Sequence, residues 1–365
     1  MTALKNALLS MLGMILLMGA APVATWSSAQ SVAQMGAMQV PYYAVPAQLD
    51  LCGEPVPLEM QEIRERFDRE FTIVVYSHAQ VFLWLKRAER FFPWIEKQLL
   101  HNKLPSDLKY VAVAESDLLA EATSPARAAG PWQFIPSTGS LYGLSQTGQI
   151  DQRRDFELAS NSAFRYLQDL HTMFQNWTLA IAAYNCGEKR MQEEINRQKV
   201  NSYYLLKLPV ETERYIFRIL AIKEVLGNPG KYGYVMPKGA GYPPIHTDRV
   251  SLNLKHPVPF QLIAEAASVT YRELKVLNPS FISDTVPKGD HILKVPKGKG
   301  RELTQRLDAL LASYQPSFVH HKVVRGDTLS GIAARYGVSA ESISEWNHLK
   351  ENKVLLGQML KIPRQ

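Results

Sequence analysis

The C-terminal third of the chain repeats itself. Ile263-Ala264, Val269-Thr270, Leu274, Leu277-Asn278, Gly289 and Leu293-Lys294-Val295-Pro296 recur as Ile332-Ala333, Val338-Ser339, Ile343, Trp346-Asn347, Gly357 and Leu360-Lys361-Ile362-Pro363. Every spacing from the first Ile-Ala pair to the Asn is identical, and the copies diverge only in the last loop. Agreement at that many positions marks two copies of one supersecondary unit. Each copy reads strand, helix, helix, strand, which requires two small α+β modules. We place them at 251–297 and 319–365, joined by a linker at 298–318. A chain of 365 residues leaves room for a larger domain ahead of them.

That domain reads as mainly α over residues 56–228. Phe82, Leu83, Leu85, Ala88, Phe91 and Phe92 mark one long helix, and Phe164, Leu167, Leu170 and Phe174 mark another at spacings of three and four. Trp177 to Tyr184 is a further short helix stopped near Asn185 and Gly187. No run of alternating strands interrupts the pattern. Residues 229–250, punctuated by Pro229, Gly230, Pro237, Gly239, Gly241, Pro243 and Pro244, read as a linker. Residues 30–55, rich in Gln, Ala, Met and Pro, read as an extended arm.

The first 29 residues read as a secretory signal peptide. Lys5 gives a positive start, Ala7 to Ala21 is almost wholly apolar, and Ser27-Ser28-Ala29 is a small-residue cleavage site. The alternative is an uncleaved anchor, because the apolar run stretches toward Ala24 and nears a spanning length. Export implies an oxidising compartment, in which Cys52 and Cys186, the only cysteines, could pair or remain separate buried thiols. Without histidine partners at ligand spacing they predict no metal site. The formal net charge of +7 suits a partner of negative character. Its basic residues are scattered among acids, which argues against nucleic acid.

One carboxylate stands out. Ser106-Asp107-Leu108-Lys109-Tyr110-Val111-Ala112-Val113-Ala114-Glu115 reads as a helix after Pro105, with Ser106 or Asp107 as its cap. Leu108, Val111, Ala112 and Glu115 share a face at helical spacing, so Glu115 lies on the side that is buried. Loss of solvation raises a carboxyl pKa and keeps a proton available near neutrality, as a general acid requires. A solvated surface glutamate is the plainer reading of the same residue.

The residues that follow narrow the choice. Glu115-Ser116-Asp117, then Gly130-Pro131-Trp132-Gln133-Phe134-Ile135-Pro136-Ser137-Thr138-Gly139, resemble the catalytic segment of the lytic murein transglycosylases, whose fold is like that of goose lysozyme. The Trp-Gln-Phe-x-Pro-Ser-Thr-Gly form looks like the membrane-bound lytic murein transglycosylase D subfamily. Ala183-Tyr184-Asn185-Cys186-Gly187 and Leu208-Pro209-Val210-Glu211-Thr212-Glu213-Arg214-Tyr215 resemble two further motifs of that family, in the same order. Val323-Val324-Arg325-Gly326-Asp327-Thr328-Leu329-Ser330-Gly331-Ile332 is similar to the opening of the LysM glycan-binding module. The earlier copy has Val258-Pro259-Phe260-Gln261-Leu262 there and resembles a degenerate LysM.

The resemblance implies cleavage of the bond between N-acetylmuramic acid and N-acetylglucosamine in peptidoglycan, without a cofactor. Glu115 would be the single acid and base, and the product would be a 1,6-anhydro sugar. Ser116, Gln133, Tyr184, Asn185 and Glu211 would bind substrate or orient the carboxylate, with a structural ion pair as the alternative for Glu211. Gly326, Asp327, Thr328 and Leu329 would face glycan in the LysM module, or Asp327 and Thr328 would serve as a turn and helix cap. Trp132 is assigned to the core. Peptidoglycan strands are the expected partner, in association with the cell envelope. Many members of the subfamily are lipoproteins, and neither cysteine lies at the cleavage site. The expectation is therefore a soluble, periplasmic mature protein. Two other readings stay open: a lysozyme-type hydrolase with Asp117 or Glu121 holding a water, and a non-catalytic scaffold.

Overall fold

The computed structural model describes residues 40–314, 317–349 and 353–363. The expected signal peptide and residues 30–39 of the expected arm lie outside the described residues. Residues 40–44 belong to a separate N-terminal unit and form no regular element. Among the described residues, no helix is long and apolar enough to cross a membrane.

The second unit opens with a short hairpin, β1 (Asp50–Leu51) against β2 (Glu54–Pro55), where extended arm was expected. The hairpin forms because Leu51 is fully buried while Cys52 (φ 57°) and Gly53 (φ 83°) make the turn. Helices follow: α1 (Gln61–Val75), α2 (His78–His101), α3 (Lys109–Ser116), α4 (Pro136–Leu141), α5 (Phe156–Phe174), α6 (Trp177–Cys186), α7 (Glu188–Gln198) and α8 (Val210–Gly227). Helix α8 is the hub. Nine of its residues, from Thr212 to Val225, are buried, and α1, α3 and α6 pack around it. A helix buried on nearly every side is a core helix. Each of Ile216, Phe217, Ile219 and Leu220 contributes about 1.5–3 kcal/mol of apolar burial.

The expected cap of α3 is not made. Ser106–Leu108 form a 3₁₀ turn with no side-chain cap. Asp107 instead accepts from the Cys52 N–H and Lys223 Nζ, both at 2.7 Å. Capture by a cation on α8 outcompetes the local cap. Part of the expected 229–250 linker is laid onto the helical domain. Tyr232 and Tyr234 are buried, and the Tyr234 hydroxyl donates to the Val75 carbonyl at 2.7 Å.

The repeat folds as its pattern predicts. In the first copy, β3 (Thr247–Leu254) pairs antiparallel with β6 (Gly289–Pro296) along its full length. Between them lie β4 (Val258–Pro259), α9 (Phe260–Ala266), α10 (Tyr271–Leu277) and β5 (Thr285–Val286). In the second, β7 (Phe318–Lys322) pairs with β8 (Met359–Pro363) around α12 (Leu329–Tyr336) and α13 (Ala340–Trp346). The repeated asparagine has one job in both. Asn278 donates to the carbonyls of Leu274 and Lys294 and accepts from the Lys294 N–H, and Asn347 does the same with Ile343 and Lys361. It ties the second helix to the last strand.

The expected linker 298–318 needs correction. Most of it is helix α11 (Gly300–Ser313), whose Leu303 and Leu307 are buried against α9 and β3. The first module therefore carries a further helix after its last strand, and its first strand begins at Thr247 rather than 251.

Candidate functional site

Glu115 sits in the last turn of α3. The face that positions it is packed solid: Leu108, Val111 and Ala112 have no exposed surface. After it the chain turns sharply through Asp117 (φ 57°) and Leu118 (φ 64°), which ends the helix and leaves the carboxylate at its edge. The residue is half-buried, and its pKa is raised from the ordinary 4.5 to about 7. Burial of the carboxyl is the largest cause. The Tyr215 hydroxyl, which donates to Glu115 Oε1, and the Arg218 charge pull the value down, while the negative charge of Glu211 pushes it up.

The loop 130–134 is tied to Ser116, the residue after Glu115, and is held from three sides. Ser116 Oγ donates to the Pro131 carbonyl at 2.8 Å, the Tyr184 hydroxyl to the Trp132 carbonyl at 2.7 Å, and Arg153 Nη1 to the Phe134 carbonyl at 2.8 Å. Gly130 has φ +82°, and a Cβ there would meet the Arg153 carbonyl oxygen at 1.8 Å, so only glycine fits. Gln133, also at positive φ (47°), turns its amide back onto the Gly130 carbonyl at 2.8 Å and the Ala122 carbonyl at 3.3 Å. Trp132 is fully buried and donates to Ser160 Oγ, so it is core as expected.

Placement of the remaining expected residues is mixed. Tyr184 lies close enough to Glu115 for the carboxylate charge, after burial, to raise its phenol pKa, yet its hydroxyl bonds the loop. Asn185 Oδ1 accepts from Thr212 Oγ1 at 2.9 Å, joining α6 to α8. Glu211 is exposed and makes no ion pair among the described residues, so the structural reading of it does not hold. Ser116 spends its hydroxyl inside the fold. The hydroxyl that meets Glu115 belongs to Tyr215, which the sequence reasoning left out. Tyr215 follows Glu211 by four residues and Arg218 follows by seven, so one face of α8 carries all three toward the carboxylate.

Asp117, weighed as a second carboxylate, accepts from Trp84 Nε1 at 2.6 Å, and Glu121 is exposed. Both cysteines are free thiols. Burial pushes the Cys186 thiol up to about 11 and the Cys52 thiol further. Among the described residues, no group of His, Cys, Asp and Glu is arranged to hold a metal ion.

In the second module the expected glycan-facing residues build a turn. Gly326 has φ 93°, and Asp327 Oδ2 accepts from the Val324 N–H at 2.9 Å and faces His321 Nε2 at 2.8 Å. Thr328 caps α12 by accepting from the Gly331 N–H at 3.1 Å, and Leu329 is buried. The turn-and-cap role is thus realised for both Asp327 and Thr328.

Three family descriptions match along the chain: Transglycosylase SLT domain at 92–206, Lytic transglycosylase MltD, LysM-like domain at 246–312, and LysM domain at 321–363. The chain is 34% identical over 324 residues to membrane-bound lytic murein transglycosylase D of Escherichia coli K12, covering 83% of this chain and 69% of that protein. It is 50% identical over 42 residues to a probable N-acetylmuramidase of Lactococcus lactis, covering 12% of this chain and 10% of the other. Among solved structures, an inactive mutant of the lytic transglycosylase Slt of Pseudomonas aeruginosa matches with 20% identity and a TM-score of 0.29, over 38% of this chain and 24% of that one.

Proposed function

Since the chain belongs to the family of the membrane-bound lytic murein transglycosylase D, we propose that Glu115 alone performs both proton transfers of its reaction. The chain is a peptidoglycan lytic transglycosylase with a LysM module directed at the same polymer. What supports the single-residue reading is a desolvated carboxyl with a pKa of about 7, held by one tyrosine hydroxyl. At neutral pH such a group is present as both acid and base.

The protonated Glu115 gives its proton to the glycosidic oxygen between muramic acid and glucosamine. The C1–O bond breaks with its electron pair on that oxygen, and N-acetylglucosamine leaves. The carboxylate then accepts the proton of the muramic 6-hydroxyl, whose oxygen bonds C1 of its own ring. The product is a 1,6-anhydro end, and Glu115 is protonated again. The nucleophile is already part of the substrate, so its proximity is built in. Hydrolysis by two carboxylates would need a second group to hold a water. Asp117, turned onto Trp84, does not offer one. Gln133, Tyr184 and Asn185 line the approach to the carboxylate in this reading, with Tyr215 as its orienting donor. Residues 1–29 direct export, and the enzyme works in the cell envelope.

Mass spectrometry of purified sacculi digested in H₂¹⁸O tests the product. Muramic ends one water lighter than the hydrolysed form, free of the heavy label, are expected. Labelled reducing ends would overturn the proposal in favour of hydrolysis.

A further inference from the structure

The first repeat copy is bound to the catalytic domain by a seam that leads to the active-site loop. Gln149–Asp151 and Ser280–Ile282 pair as short antiparallel segments: the Asp151 N–H donates to the Ser280 carbonyl at 2.7 Å, and the Ile282 N–H to the Gln149 carbonyl at 2.9 Å. Ile150 packs against the apolar core of the module, and Gln149 and Asp151 are each 3% exposed. On the rim, Lys294 Nζ lies 2.9 Å from Asp155 Oδ2, and Arg249 pairs with Glu157.

Inside the seam the contact continues without a gap. Both oxygens of Asp151 accept from Arg153, through Nε and Nη2, each at 2.8 Å. Arg153 Nη1 donates to the carbonyls of Arg127 and Phe134, also at 2.8 Å, on either side of Gln133. The two side chains are 4% and 5% exposed. A buried arginine held bidentately by a carboxylate at one end and bonded to two backbone carbonyls at the other is a rigid strut. One end of the strut holds the 130–134 loop, and the other end is held by the module.

We propose that the module of residues 247–313 is a positioning element of the active site, acting through Asp151 and Arg153, and that its docking face serves the enzyme rather than the glycan. The inference rests on the reading that the 130–134 loop contacts sugar at Glu115. A module bound only through a flexible linker would need none of the seam. The copy that docks is also the one whose opening loop lacks Gly-Asp-Thr-Leu, so one repeat grips glycan while its sibling braces the loop. Misplacing a substrate-orienting group by about 1 Å costs on the order of 100-fold in rate, which sets the scale for loss of the brace.

The test uses the full chain and a short glycan oligomer. The double variant R249E/K294E faces Asp155 and Glu157 with like charge and opens the rim. I282P removes a seam donor outright. Hydrogen exchange at the Asp151 amide in both variants, and at the Ile282 amide in R249E/K294E, reports the opening. We expect kcat/KM on the oligomer to fall at least about tenfold, with the pH at which activity declines unchanged and sacculus binding retained. Adding E157R to R249E/K294E gives the two introduced carboxylates an opposite charge to face at position 157, with Asp155 unchanged, and recovers part of the rate. Full activity with an open seam, or a loss confined to sacculus binding, would overturn the proposal. An active E115Q variant would instead remove the underlying reading of the site, and the two failures are told apart by which variant keeps its rate.

Discussion

The hydroxyl of Tyr215 donates to the carboxylate of Glu115, bridging α8 to the last turn of α3. A donor to a carboxylate favours its charged form, so this bond opposes the burial that raises the Glu115 pKa. The helix hub and the candidate acid are thereby coupled, and the pH range of the enzyme is set by the balance.

Removing the donor tests that balance. Y215F leaves the ring to fill its space and strengthens the hold of Glu115 on its proton. The high-pH decline of kcat/KM, expected near pH 7 in the wild type, moves upward by about one pH unit. A decline moved to lower pH would show that Tyr215 does not stabilise the carboxylate.

Glu211 acts in the opposite sense. Its negative charge raises the Glu115 pKa, so E211Q shifts the decline downward. Glu211 is exposed, which makes the shift smaller than that of Y215F and smaller still in high salt. Equal profiles at low salt would remove Glu211 from the electrostatics of the site.

Stability carries the same signature. Unfolded, Glu115 loses its proton near 4.5, whereas the folded chain retains it to about 7. Below pH 4.5 the residue is protonated in both states and costs nothing. As pH rises to 7 the folded state is progressively disfavoured, by at most about 3 kcal/mol. E115Q escapes this cost, so its urea midpoint exceeds that of wild type at pH 8 and matches it at pH 4. A constant difference across that range would contradict the raised pKa.

The helical domain was legible because its core faces repeat at three and four residues, and the modules because their Asn and strand residues recur in register. Tyr215 was readable in principle, being one turn beyond Glu211 in the Leu208-Pro209 run, yet which face of α8 meets α3 is a tertiary fact. Ser116 and Gln133 were expected to face substrate, and both give hydrogen bonds to loop carbonyls, a competition that residue type alone does not reveal. Helix α11 was missed because it lies beyond Pro296, where the repeated pattern shared by the two copies ends. The seam at Gln149–Asp151 is backbone pairing and leaves no side-chain signature.

In the second module, the Val324 N–H and His321 hold the Asp327 carboxyl below its usual range. D327A frees the turn that contains Gly326 and leads into the Thr328 cap. The fraction of protein sedimenting with limiting sacculi is expected to fall several-fold. Undiminished sedimentation would place the glycan contact elsewhere on the module.

The most direct measurement is the rate at which E115Q lyses purified sacculi. A glutamine preserves the shape of the site and can still accept from Tyr215, but it transfers no proton. A fall of roughly 10²–10⁴-fold, the range for loss of general acid–base catalysis, is the expected result. Lysis at the wild-type rate would contradict Glu115 as the acid and base of this enzyme.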